Sequence, residues 1–197
     1  MKGSRIASGD RSQFSTYIGV IVAVLAITGA VLGIYFGLTL KKSVTGFDPN
    51  RPVPTDAELR KRLKPEQYHI TRESGTDTAF QNEYWNYTRV GIYVDVITGE
   101  PLFSSLDKFD GGTGRPTFTQ PISKDAVAEK MDTSHDMQRT EVVARRSNAH
   151  LGHLFPDPTS PTGQRYAVNS GAFRFIVHDR MQEQGYGAYL SLFDAKK

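Results

Sequence analysis

The feature that most narrows what this 197-residue chain can fold into is residues 17–40, an uncharged run dense in Val, Ile, Leu, Ala and Gly. About 20 apolar residues in helical form cross the hydrocarbon core of a bilayer, and inside lipid a helix satisfies every backbone polar group of its own segment. The run therefore predicts one transmembrane helix behind an N-terminal tail of residues 1–16. A cleavable signal has an apolar region of roughly 7–15 residues closed by an A-x-A site; this run is longer and lacks that closure. Lys2, Arg5 and Arg11 precede it and Lys41, Lys42 and Arg51 follow it, so the positive-inside count is a tie. The short tail favours a single-pass anchor with the soluble part on the extracytoplasmic or periplasmic side.

Small residues inside the run recur in steps of four and three: Gly19, Ala23, Ala26, Ala30, Gly33 and Gly37. That is close to the 3.5-residue period of a left-handed helix pair, and small side chains let two backbones approach in lipid. The seam predicts packing against transmembrane helices of a membrane protein complex. Membrane helices are rich in Gly and Ala in any case, so a seam without a partner stands beside it.

Residues 41–54 carry Gly and three prolines with few large apolar groups, the pattern of an extended linker. Residues 55–195 then read as one soluble domain. Thr55 caps a helix with Asp56 and Glu58 in its first turn, Leu59 and Leu63 on one face, and Pro65 beyond its end. Residues 91–98 alternate and are β-branched, a strand closed by a turn at Gly99, and residues 141–144, 165–168 and 172–177 read the same way. Short helices are expected at residues 124–131 and 180–184, the second capped by Asp179 and stopped by Gly185. The expected class is mainly β.

Composition removes several functions. The net charge of +3 is mild and no basic stripe is interleaved with aromatics, so no nucleic-acid partner is expected. The chain has no cysteine, which excludes disulfides, thiolate metal sites and any cysteine nucleophile. The loop Asp110-Gly111-Gly112-Thr113-Gly114-Arg115-Pro116 is glycine-rich but lacks the GK[ST] ending of a phosphate cradle. His150-Leu151-Gly152-His153 offers two metal-type ligands, too few for a site without an acidic cluster nearby in sequence. No cofactor and no metal are expected.

Several stretches nevertheless share one resemblance, in one order. They are Gly75-Thr76, Phe80-Gln81-Asn82-Glu83-Tyr84-Trp85, residues 91–105, the glycine-rich loop, His150-Leu151-Gly152-His153, and Arg165-Tyr166-Ala167-Val168-Asn169-Ser170. Together they resemble the methionine-R-sulfoxide reductases, the MsrB family, over about residues 55–193. The resemblance implies two packed antiparallel sheets with peripheral short helices. It implies that His150, His153 and Asn169 hold the sulfoxide oxygen, that Arg165 stabilises a thiolate, and that Phe155 supplies an apolar wall. It places the family's catalytic cysteine at Ala167 and its substrate-facing tryptophan at Arg115. The family's metal-binding cysteines fall at Asp95, Thr98, Ala144 and Ser147, none of them a cysteine here.

An alanine cannot attack sulfur. The sequence therefore favours a catalytically inactive MsrB-like domain, anchored in the lipid bilayer by one helix as an accessory subunit of a membrane complex, with His150 and His153 reduced to structural residues. Two alternatives stand beside it. One is a peptide-methionine (R)-S-oxide reductase whose cysteine is replaced by Ala167; the other is a module that binds methionine sulfoxide without reducing it.

Overall fold

A computed structural model describes residues 46–194 of the chain. The predicted span at residues 17–40, with Gly19, Ala23, Ala26, Ala30, Gly33 and Gly37, lies outside the described residues. Among those described, no helix is long and apolar enough to cross a membrane.

The first helix, α1 (Asp56–Arg62), starts where the capping signal places it. Thr55 Oγ1 accepts from Glu58 N while Glu58 Oε2 accepts from Thr55 N at 2.7 Å. Each side chain thus satisfies a donor that the helix leaves orphaned. Thr55→Ala is expected to cost about 1 kcal/mol in denaturant unfolding, since one such cap is worth that much. Pro65 does not merely stop α1. It opens a second helix, α2 (Pro65–Glu73), at the position where a missing N–H costs nothing and a fixed φ helps. In the sequence Pro65 signals only the end of α1, so this helix has no separate signal there.

The remaining elements are β1 (Gly91–Asp95), β2 (Pro101–Ser104), β3 (Lys108–Phe109), β4 (Thr117–Phe118), β5 (Val127–Asp132), β6 (Arg139–Ala144), β7 (His150–Pro156), β8 (Gln164–Val168), β9 (Phe173–Val177) and a last turn of helix, α3 (Ser191–Asp194). They form two antiparallel sheets: three strands in the order β2-β1-β9 and six in the order β3-β4-β8-β7-β6-β5. The main core joins both sheets, with Tyr93, Leu102, Phe103 and Phe173 from the first and Phe118, Val142, Leu151, Tyr166 and Val168 from the second. Phe103 stacks on Phe118 at 4.6 Å. The far face of the small sheet, Ile92, Val94 and Ile176, is covered by Met181, Tyr186 and Phe193 from the C-terminal segment and by Phe47 from the stretch expected to be linker.

Two expected helices are not there. The helix expected at residues 124–131 is instead β5, paired with β6 from Val127↔Ala144 to Asp132↔Arg139. The segment's helix formers are overruled by a ladder of six residue pairs, a tertiary effect that local propensity does not register. Nor does β5 alternate in burial, because as an edge strand it buries only Val127. At residues 180–184 there is a 3-10 turn, His178–Arg180, followed by tight turns that end at Gly185 with φ 80°. Five residues with one α-type bond, Gln184 N to Arg180 O, do not make a helix.

Candidate functional site

Strands β6, β7, β8 and β4 bring Glu141, His153, Ala167 and Thr117 into one cross-strand row. Leu154, Tyr166 and Phe118, the neighbours of this row, point the other way into the core. The row therefore lies on the face of the six-stranded sheet turned away from the intersheet core. Directly opposed residues on one face have Cβ atoms about 4.5–5.5 Å apart, which makes position 167 an immediate neighbour of His153.

Strict alternation would send His150 and His153 to opposite faces, being three residues apart. A bulge prevents it. Gly152 pairs with Val142 and His150 with Val143, leaving Leu151 as an extra residue in β7. Leu151 is fully buried in the core, Gly152 has no side chain to place, and both histidines emerge on the outer face with ring centroids 5.5 Å apart.

Each imidazole is paired to a carboxylate that sequence inspection did not connect to it. His150 Nδ1 lies 2.7 Å from Glu141 Oε1, and His153 Nε2 lies 2.7 Å from Asp132 Oδ2. Arg139 Nη2 donates to the same Asp132 oxygen at 2.6 Å, and Ser134 N donates to Asp132 Oδ1 at 2.9 Å. Hydrogen bonds from Ser134, then His153, hold the Asp132 carboxyl well below the usual carboxylate range. Burial holds His153 below its ordinary value against the opposing pull of Asp132. These groups line a cavity of about 640 Å³ with Glu73, Ser74 and Thr76 from the end of α2. Asp132, Arg139 and Glu141 carried no sequence signal, because hairpin register alone delivers them.

The other expected site residues are placed differently. Ala167 is 9% exposed and sits beside His153 without lining the cavity. Asn169 is a strut: its Oδ1 accepts from Asp77 N at 3.0 Å, and its Nδ2 donates to Leu151 O at 3.1 Å and to Gly75 O. Arg165 reaches Asp157 at 3.3 Å and lies over the Phe155 ring at 5.2 Å. Arg115 donates from Nε and Nη2 to Asp77 O, 3.3 Å each, which turns it onto the Asp77 segment and out of the histidine cavity.

The family's metal positions do not fit a metal here. Ala144 has no donor atom, and both oxygens of the fully buried Asp95 are taken by Ile97 N, Thr98 N and Thr98 Oγ1. Ser147 adds a further hydrogen bond, so Asp95 ties the β1–β2 turn to the β6–β7 turn. Burial outweighs these bonds and raises the Asp95 carboxyl above its ordinary value. Asp95→Ala strands several buried donors and is expected to cost about 2–4 kcal/mol in chemical denaturation. A carboxyl whose folded value exceeds its unfolded one binds more protons when folded. Its contribution favours folding at low pH and is lost as pH rises from the unfolded value through the folded one. That component of the pH–stability curve should vanish in Asp95→Ala.

A family model described as the SelR domain matches residues 63–177. The chain is also 50% identical over 140 residues to the peptide methionine sulfoxide reductase MsrA/MsrB of Vibrio cholerae serotype O1 (strain ATCC 39315 / El Tor Inaba N16961). The match covers 71% of this chain and 37% of that relative, so the chain spans little more than a third of the reductase it resembles.

Proposed function

The chain belongs to the SelR domain family, and from that premise we propose that its outer-face cavity is a site for methionine-(R)-sulfoxide in peptides, the recognition half of a reductase. The observation that carries this is the bulge-aligned pair His150 and His153, opening on one cavity beside position 167. Relatedness to a protein named as a reductase favours the reductase alternative over the accessory membrane subunit that the sequence reading preferred. The chain as it stands binds the sulfoxide. Reduction there requires a sulfur nucleophile at 167, where this sequence has alanine. The tether through residues 17–40, and a helix partner along its small-residue seam, belong to this proposal on the strength of the uncharged run alone.

The test is titration of the full chain with an N-acetylated methionine-(R)-sulfoxide peptide, followed by the imidazole resonances. The expected result is saturable shifts of His150 and His153, weaker with the S epimer and with the plain thioether. Equal response to all three ligands, or none, would defeat the reading.

A further inference from the structure

We infer that the end of the domain where the chain enters it is a docking surface for an anionic bilayer, built from arginines without carboxylate partners. This rests on the reading of residues 17–40 as an anchor. The entry is fixed on the domain itself. Gly46 lies so close to Gly185 that a Cβ there would strike its carbonyl, and Phe47 packs against the cluster of Ile92, Val94, Ile176, Met181 and Tyr186. Only residues 41–45, Lys41 and Lys42 among them, separate this entry from the uncharged run. Fully extended, that stretch spans about 20 Å at most, so a bilayer holding the run lies within reach of the entry.

Arginines gather at the same place. Arg146 donates to Arg51 O and lies over the Phe47 ring at 5.7 Å. Arg145, beside it on the β6–β7 turn, donates to Asp125 O at 2.8 Å and to Val127 O at 2.7 Å. Arg62 donates to Ile97 O on the β1–β2 turn, which Asp95 ties to the β6–β7 turn. Backbone carbonyls orient a guanidinium and leave its charge whole. Among the described residues, none of Arg51, Arg62, Arg145 and Arg146 forms an ion pair. The carboxylates of this end are Asp48 and Asp125, Glu58, which is bound to Thr55, and Glu100, which faces Arg145 and Arg146. With Lys41 and Lys42 the cations outnumber them. Basic groups held next to a bilayer act on anionic headgroups within a Debye length, and the short connection supplies that proximity.

The experiment uses the full chain in vesicles of phosphatidylcholine alone or with phosphatidylserine, each carrying a headgroup-attached quencher. Because the chain has no cysteine, Asn50→Cys places a single fluorophore at the entry, and Pro158→Cys places one beyond the far end of β7. The label at 50 should be quenched more strongly on the anionic vesicles, with the difference vanishing in high salt. The label at 158 should respond to neither lipid. Arg51 is exposed, and Arg51→Gln should lower the anionic preference about fivefold, the worth of one basic group at such a surface. Equal quenching at 50 on both lipids, or quenching at 158 that matches it, overturns the inference. Equal quenching together with binding of polyglutamate gives the arginines to an acidic protein instead. Release of the chain by alkaline carbonate ends the anchored reading alone, since the contrast between the two labels still decides the surface.

Discussion

Ala167→Cys is expected to turn over methionine-(R)-sulfoxide with dithiothreitol, where the parent chain gives no rate above buffer. The substitution adds one sulfur atom to a side chain that is 9% exposed, directly opposite His153 in the β7–β8 ladder. Cβ atoms in such a pair stand about 5 Å apart, so the new thiol lies within reach of the imidazole and of whatever that imidazole holds. Attack of the thiolate on the sulfoxide sulfur, with oxygen passing to the new sulfur, gives the thioether and a sulfenic acid. Two thiols of dithiothreitol return the sulfenic acid to thiol, releasing water and the cyclic disulfide. Arg165 stands two residues along the same face, its Nε on Asp157 and its guanidinium over the Phe155 ring. Adding Arg115→Trp replaces a cation bound to Asp77 O with an apolar surface and should raise the rate further. A folded Ala167→Cys protein that binds the sulfoxide peptide yet forms no thioether would sink the claim that sulfur is the missing part.

Gly152→Ala should cost about 3–4 kcal/mol. Gly152 has φ 152°, and a Cβ there meets Ala167 O at 2.3 Å and Val168 Cα at 2.8 Å. Both are backbone atoms of the paired strand, so relief requires opening the β7–β8 ladder. A left-handed backbone alone costs about 1–3 kcal/mol for a non-glycine residue, and the lost ladder bonds add about 1 kcal/mol each. Gly163→Ala is the control: φ there is 71° with nothing within 4 Å, so only the conformational cost of about 1 kcal/mol applies. Chemical denaturation of both variants separates the two costs. Equal stabilities would show that the bulge tolerates a side chain.

The same bulge marks where linear reading stops. Strands were legible within residues 91–98, 141–144, 165–168 and 172–177, although β1 stops at Asp95 and buries all five of its residues instead of alternating, because both of its faces are covered. No strand was legible at β5, an edge strand whose ladder with β6 holds it without a buried face. The proposed site was picked out in the sequence too, through His150-Leu151-Gly152-His153 and Arg165 to Ser170. Its wiring was not: Asn169 turned out to be committed to backbone groups, and Arg115 to Asp77 O.

What the sequence by itself determined is chemical: a mainly β domain, the residue types that carry the family resemblance, and an alanine at position 167 in a chain without cysteine. These follow from residue types and from periods of two, which need no knowledge of neighbours. What only the tertiary structure decided is mutual: two histidines on one face, each facing a carboxylate from a strand or hairpin end that sequence distance does not reveal. The reason is that register is a property of strand pairs, and one extra residue at Leu151 reverses which side every later side chain of β7 presents.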